Sequence, residues 1–172
     1  MAVEALVTPF LHVELFQGLP PLHLAKLAHL AERIVFRPGD LIIREGAAGD
    51  AAYLVVAGET ARIDGPYEMD GEEALPVNVL IGEMAMLIDT EHTSTVIAKS
   101  QVRALRLPRE TMYELMQEVP SLAEHLIGKL TGRLQQIALD LRRIDDGFDT
   151  SAMTLPRSRS LAVVQGEAPA LH

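Results

Sequence analysis

Residues 81–96 of the chain read Ile-Gly-Glu-Met-Ala-Met-Leu-Ile-Asp-Thr-Glu-His-Thr-Ser-Thr-Val. The glycine at the second position allows the backbone to approach a ligand closely and to adopt a positive φ. If Met84 to Ile88 form a short helical turn, its first amide groups offer an anion site. Beside that turn, the Glu83 carboxylate can accept a hydrogen bond from a sugar hydroxyl, and Thr93 and Ser94 offer donors on the far side. The stretch therefore predicts a site for a ligand that carries both a sugar and a phosphate.

Short strands separated by glycine turns lie on both sides of this stretch. Residues 37–40 (Arg-Pro-Gly-Asp) and 45–50 (Glu-Gly-Ala-Ala-Gly-Asp) are typical of tight turns. Strands are predicted at 34–36, 41–44, 52–56, 60–63, 77–80, 95–98 and 102–107. Such regular spacing favours a sandwich or a jelly-roll-like barrel. We therefore predict an α+β protein built on a β-roll, or jelly-roll barrel, of about eight short antiparallel strands.

Helical patterns lie at both ends of the predicted barrel. Residues 8–16 are predicted to form a short helix, because a proline suits the first helical position after a threonine cap. The apolar spacing over 22–31 predicts a second helix. After the strands, a helix is predicted over 108–116 and a long one from 120 to about 145. The barrel is thus expected to carry N-terminal helices and two C-terminal helices, of which the last is long.

The long helix carries an apolar stripe with spacings of 3, 4, 3, 4 and 3 residues. Its members are Ile127, Leu130, Leu134, Ile137, Leu141 and Ile144. A stripe at these two heptad positions is typical of a helix that pairs with another helix. We therefore expect a homodimer through this helix. The alternative is that the stripe packs only on its own barrel.

These patterns predict four regions along the chain. They are N-terminal helices at 1–32, the barrel at 33–107 with the site stretch at 81–96, C-terminal helices at 108–146, and a tail at 147–172. The tail is rich in Ser, Pro, Gly and Ala and is expected to be disordered. The acidic segment 64–76 is expected to be a solvated hairpin loop.

Composition excludes several classes of function. The 172 residues carry a net charge of −9, which repels DNA and anionic membranes over most of the surface. Aromatic residues make up only 4% and cysteine is absent, so base-stacking platforms, disulfides and thiolate metal sites are not expected. The N-terminus lacks the basic region of a signal peptide, and no apolar run approaches the roughly 20 residues that span a bilayer. We therefore expect a cytoplasmic protein.

No catalytic or metal-binding pattern is present. The six histidines show neither His-x-His nor His-Glu-x-x-His spacing. No nucleophilic triad can be assembled from the sequence. We therefore expect that the protein is not an enzyme and that it has no metal site and no cofactor.

Several ordered motifs between about residues 10 and 145 resemble those of cyclic-nucleotide-binding domains. These are the sensor domains of the catabolite activator family, of cAMP-dependent kinase regulatory subunits and of nucleotide-gated channels. The resemblance rests on Phe-x-Pro-Gly-Asp at 36–40, Glu-Gly-x-x-Gly-Asp at 45–50, Tyr-Leu-Val-x-x-Gly at 53–58, and Gly-Glu-x-Ala at 82–85. The last of these is similar to the family's phosphate-binding cassette.

The resemblance implies cAMP or cGMP as the ligand and a parallel homodimer through the long helix. The implied binding residues are Gly82, Glu83, Met84, Ala85, His92, Thr93 and Ser94, with Glu83 on the ribose 2′-hydroxyl. Gene regulators of the family continue into a helix-turn-helix module. The residues after the long helix show no two-helix apolar pattern, so no DNA-binding module is expected here.

His92 departs from the family pattern, because it falls where the phosphate-binding arginine is expected. Histidine has a reference pKa of about 6.5 and is mostly neutral at pH 7. Loss of one charge-assisted contact of ~1.5–3 kcal/mol would weaken binding by roughly one to two decades.

Three hypotheses follow from this sequence. The first is a cyclic-nucleotide sensor that acts on a partner protein, still unidentified, through movement of its C-terminal helices. The second is a ligand-independent dimerisation or interaction scaffold with a degenerate pocket. The third is a pocket filled by another anion, such as a nucleotide or an organic acid.

Overall fold

The computed structural model describes residues 2–63 and 71–152, with side chains over 5–63 and 71–144. The α-helices are α1 (Ala2–Leu11), α2 (Pro21–Leu30), α3 (Arg109–Glu118) and α4 (Pro120–Ala152), and 3-10 helices span Glu14–Phe16 and Glu83–Met86. The predicted antiparallel β-roll with N-terminal helices and a long last helix is confirmed. None of the described helices has the length and apolar character needed to cross a membrane.

The strands within the described residues form two four-stranded sheets and one two-stranded sheet. They are β1 (Glu32–Phe36), β2 (Leu41–Ile43), β3 (Ala48–Gly49), β4 (Ala51–Ala57), β5 (Thr60–Ile63), β6 (Glu72–Leu75), β7 (Leu80–Ile81), β8 (Thr90–Glu91), β9 (Thr95–Ala98) and β10 (Val102–Pro108). The sheet orders are β1-β10-β4-β7, β2-β9-β5-β6 and β3-β8, and the strand pairs are antiparallel.

Two apolar clusters are separated by the sheet that contains β4 and β10. Because side chains alternate along a strand, Leu54 and Leu105 pack with the helices, whereas Val55 and Ala104 pack inside the barrel. The helix-side cluster includes residues of α2, α3 and the first turns of α4. This arrangement attaches α3 directly to the sheet from which the site stretch emerges.

The predicted helix over 8–16 is wrong in its bounds. The structure has α1 from Ala2 to Leu11, with Pro9 inside it, and then a separate 3-10 turn. Phe10 and Phe16 are both fully buried and their ring centroids lie 5.7 Å apart. Residues six apart on one α-helix point in different directions, so the break after Leu11 is what allows the two rings to meet.

The prediction of a loop over 64–76 and a strand over 77–80 is also corrected. The structure places β6 at Glu72–Leu75, then a turn at Asn78 with φ 61°, then the short β7. Glutamates disfavour strands, but here Glu73 pairs with Arg62 at 3.1 Å and Glu72 with Lys99 at 2.7 Å. β6 therefore forms ion pairs with its neighbour β5 and with the residue that follows β9, although its glutamates disfavour a strand.

Contacts divide the chain into two compact units, one ending at Thr131 and the other starting at Gly132. The first contains the sheets, α1 to α3 and the start of α4, and the second contains the remainder of α4. That helix continues to Ala152, past the predicted boundary at 146. The rest of the predicted tail, 153–172, lies outside the described residues, as do residues 64–70 of the predicted acidic loop.

A candidate ligand site at the cassette

The segment 81–96, called the cassette below, leaves the barrel at β7 and folds back on itself at Gly82. This glycine has φ 71°, a left-handed conformation that side chains disfavour. The helical turn then occupies Glu83–Met86 rather than the predicted Met84 to Ile88. Its hydrogen bonds run from the Ala85 amide to the Gly82 carbonyl and from the Ile88 amide to the Met84 carbonyl.

The cassette turn is fixed to the protein by its apolar side. Ala85, Met86 and Leu87 are buried, and Met86 belongs to the helix-side cluster. Met84 and Ile88 are exposed, and Glu83 is half-buried. The buried face therefore holds the turn in place, and Met84 and Ile88 lie on its exposed side.

His92 lies against two glycines. A Cβ built on Gly49 would stand 2.8 Å from the His92 Cε1 atom and 2.9 Å from Nε2, and one built on Gly82 would stand 3.1 Å from Cε1. The backbone is fixed as well, because the His92 amide donates to the Ala47 carbonyl and the Gly46 amide donates to the His92 carbonyl, both at 2.9 Å. The imidazole thus occupies space that only glycines at 49 and 82 leave open.

The pKa of His92 depends on its burial and on the charge of Asp50. Partial burial lowers the pKa of the His92 imidazole below its ordinary value, and the negative charge of Asp50 opposes that shift. Asp50 is itself ion-paired with Arg106 at 2.7 Å. His92 is therefore mainly neutral at neutral pH in the absence of a bound anion.

Arg109, the first residue of α3, holds the far end of the cassette turn. Its Nη1 atom donates to the carbonyl oxygens of Gly49 and Ile88, each at 2.9 Å, and to that of Ala85 at 3.4 Å. One helical turn later, the Tyr113 hydroxyl donates to the Leu87 carbonyl at 2.7 Å. These contacts satisfy carbonyls at the end of a short helical turn and join the cassette to α3.

The structure brings some of the predicted site residues together. Ala85 and His92 meet at Gly49, and the His92 ring also lies against Gly82. Thr93 and Ser94 form the bend after His92, with Thr93 exposed and Ser94 half-buried. Within the described residues, no group of three or more acidic or histidine side chains is arranged to hold a metal ion.

Sequence reasoning missed the partners of the cassette. Gly49 and Asp50 had been assigned only to a turn, and Arg109 and Tyr113 only to a helix. One signal was available for Arg109, because a cation in the first turn of a helix opposes the helix dipole and suggests a partner elsewhere. No comparable signal exists for Tyr113.

The stripe predicted on the long helix is mostly exposed in this chain. Five of its six members are exposed, with fractions from 54% for Ile144 to 69% for Leu134; the other three of these five are Ile127, Ile137 and Leu141. The sixth, Leu130, is partly buried against the helix-side cluster. Ile127, which belongs to the same compact unit as the barrel, therefore does not fit the alternative in which the stripe packs only on its own barrel.

Comparisons with known proteins point to one family. A family model described as "Cyclic nucleotide-binding domain" matches residues 33–119. A cAMP-dependent protein kinase regulatory subunit from Aspergillus fumigatus is 33% identical over 111 residues, which are 62% of this chain and 26% of that protein. The match thus spans about a quarter of the length of that curated relative.

Two solved structures are similar to the chain as well. One is a cyclic nucleotide-binding-like protein from Brucella abortus, with a TM-score of 0.59 and 27% identity over 64% of this chain and 97% of the other. The second is the catabolite activator protein of Thermus thermophilus, with a TM-score of 0.61 and 28% identity over 76% of this chain and 62% of the other.

Proposed function

The chain belongs to the cyclic nucleotide-binding domain family, and we propose that it is a regulatory sensor that binds cAMP or cGMP at the cassette. Its role is regulatory rather than catalytic, and it acts on a partner protein. The similarity to a kinase regulatory subunit and to a catabolite activator protein supports a regulatory role. The prediction of a cytoplasmic location stays a prediction.

One observation carries this proposal: the cassette turn is a pre-formed structure whose apolar face is buried in the protein. Gly82 makes the corner, Ala85 and Met86 are buried, and Glu83 is placed at the start of the turn. A pre-formed site lowers the ordering cost of binding. We propose that Gly82, Glu83, Met84, Ala85, His92, Thr93 and Ser94 surround the ligand, with Glu83 accepting from the ribose 2′-hydroxyl.

The contacts of α3 support a route for the signal. Arg109 and Tyr113 bind carbonyls of the cassette, and α3 ends two residues before α4 begins. A ligand that shifts the cassette therefore also changes the contacts that hold α3. We propose that this change reaches the partner protein through the C-terminal helices, as a difference in ligand affinity between two states.

We further propose that α4 pairs with α4 of a second copy of the chain. The heptad spacing of the stripe and the exposure of Leu134, Ile137, Leu141 and Ile144 support this. Exposure of an apolar stripe to water is unfavourable, and burial of the stripe against a second helix would lower the free energy. The same pairing would place two sensor sites in one assembly.

Isothermal titration with cAMP and with cGMP tests the sensor directly. We expect saturable binding by the wild type, loss of binding in Glu83→Ala, and unchanged binding in the control Glu110→Ala, which removes an exposed glutamate from α3. Circular dichroism checks that the variants fold. Equal affinities for the wild type and Glu83→Ala would contradict the assignment of Glu83.

A second candidate function is a ligand-independent dimerisation or interaction scaffold. The observation in its favour concerns His92, which stands at the position expected to bind the ligand phosphate. Partial burial lowers the pKa of His92, so its imidazole is mainly neutral at neutral pH and offers the phosphate no positive charge. Binding gained only in His92→Arg would indicate an intact pocket that the wild type does not use. If neither the wild type nor His92→Arg binds either nucleotide, the scaffold is favoured, and protein partners should be sought next.

A further inference from the structure

His92 packs against the corner of the cassette, where the proposed function places the phosphate of the ligand. Its ring lies over Gly49 and Gly82, both of which lack the atoms that would otherwise occupy that space. Gly82 is also the corner from which the cassette turn starts. An anion bound at this turn and the imidazole would therefore share one small region of the structure.

The charged groups around this ring come from several elements. Asp50 follows β3 and is the acidic group that acts on His92 through its charge. Arg106 of β10 binds Asp50 at 2.7 Å and also pairs with Glu32 of β1. Because Asp50 is shared with a permanent cation, its ability to hold a proton on His92 is reduced.

Two other elements also bring charge to this region. The cassette itself contributes Glu83 beside Gly82 and Glu91 on β8. Arg109 of α3 donates to the Gly49 carbonyl and lies 3.6 Å from Asp89. The arginines are therefore engaged with protein groups, and His92 is the basic side chain packed against Gly82.

We propose that the site takes up its anionic ligand together with one proton, which His92 receives, so that nucleotide affinity falls as pH rises. This inference rests on the proposed function of the site. The free protein holds His92 mainly neutral, and a bound phosphate stabilises the imidazolium form through its opposite charge. Binding and protonation are then linked, and each favours the other.

The direction of the pH dependence follows from this linkage. Below the pKa of the free protein, His92 is already charged and affinity is constant. Between that pKa and the higher pKa of the complex, each unit of pH increase weakens binding by about tenfold, because one proton is taken up per ligand. Above the pKa of the complex, affinity is again constant and low.

Calorimetry of the wild-type chain tests the inference. Titrations with cAMP and cGMP from about pH 5 to about pH 8, in buffers of different ionisation enthalpy, give both the Kd and the number of protons taken up. We expect uptake approaching one proton within this range and a Kd that rises with pH. His92→Arg is the matched variant, since arginine stays charged throughout, and it is expected to bind with neither proton uptake nor pH dependence.

The outcomes separate this inference from the proposed function. Binding by the wild type with a constant Kd and no proton uptake would overturn the proton-coupled mechanism and leave the sensor intact. The proton-coupled mechanism would also be overturned if His92→Arg bound a nucleotide and the wild type bound none at any pH. If neither protein bound a nucleotide at any pH, both the proposed function and this inference would be contradicted. Where His92→Arg fails to fold, the wild-type proton count decides.

Discussion

A Cβ built on Gly49 would stand 2.5 Å from the Cβ of Ala85. Carbon atoms that are not bonded prefer separations of about 3.5–4.0 Å, so this space cannot hold a side chain. Gly49 is fixed by the pairing of β3 with β8, and Ala85 is only 1% exposed. The strand and the cassette turn therefore touch because position 49 has no side chain.

We predict that Gly49→Ala destabilises the protein and removes nucleotide binding. The added methyl group has to displace Ala85 or the His92 ring, at a cost of about 1–3 kcal/mol. For a chain of this size the melting temperature would fall by roughly 2–12 °C. Thermal unfolding followed by circular dichroism measures the first effect, and isothermal titration with cAMP and cGMP measures the second.

Gly128→Ala is the matched control for that substitution. Gly128 lies in α4, and a Cβ built there meets nothing within 4 Å. Alanine favours a helix over glycine by about 1 kcal/mol, so the melting temperature should rise. A fall in melting temperature for both variants would mean that crowding at Gly49 is not the cause.

Arg109→Ala is expected to weaken the cassette from its other side. The guanidinium donates to carbonyls of Gly49 and Ile88 at 2.9 Å, and its loss leaves these acceptors without their partner. We expect a loss of about 1–3 kcal/mol in the free energy of unfolding. Because the turn loses its support, nucleotide affinity should fall as well. Chemical denaturation measures the former and calorimetric titration the latter.

The control for Arg109 is Arg103→Ala. Arg103 lies on β10, six residues before Arg109, and its side chain is exposed. Surface substitutions of this kind usually change stability by less than about 0.5 kcal/mol. Equal losses of stability in the two variants would show that the carbonyl contacts of Arg109 contribute nothing specific.

Asp50→Asn is predicted to lower the pKa of His92 further. Burial lowers this pKa and the Asp50 charge raises it, so removal of the charge leaves burial less opposed. The substitution also removes one of the two acidic partners of Arg106, and the less compensated positive charge acts in the same direction. Nuclear magnetic resonance titration of the His92 ring, assigned by its absence in His92→Gln, should show a midpoint at lower pH.

Asp89→Asn serves as the comparison for this titration. Asp89 belongs to the cassette but its side chain is 89% exposed and lies 3.6 Å from Arg109. The charge of an exposed group is screened by solvent, so the His92 midpoint should stay where it is in the wild type. A midpoint that moves in Asp89→Asn as much as in Asp50→Asn would contradict a specific effect of Asp50.

Much of the fold was predictable because it depends on local sequence. Gly39 and Gly58 have positive φ and mark turns that glycine signals by itself. β4 is a short, continuous apolar run, which is consistent with a strand buried on both faces. The cassette was predictable for the same reason, since Gly82 fixes its corner.

The remainder depends on contacts between distant positions. β6 pairs with β5, and its Glu72 and Glu73 bind Lys99 and Arg62, which lie far away in the sequence, so the glutamate-rich segment alone does not indicate a strand. Arg109 supports the cassette through hydrogen bonds to backbone carbonyls. Because every residue has such a carbonyl, these contacts cannot be predicted from residue types. The break after α1 depends in turn on the burial of Phe10 against Phe16.

The last prediction concerns the apolar stripe of α4. If it pairs with a second copy, Leu134→Asp together with Leu141→Asp places charges in the seam and should convert a dimer to a monomer, because burying an unpaired carboxylate is costly. Leu139→Asp is the control, since Leu139 is 50% exposed on the same helix but lies outside the heptad stripe. Sedimentation equilibrium measures the mass of each protein. A monomeric wild type, or a dimer that survives the double substitution, would show that this stripe does not join two chains; a dimer lost equally in Leu139→Asp would point to a general effect of charge on the helix.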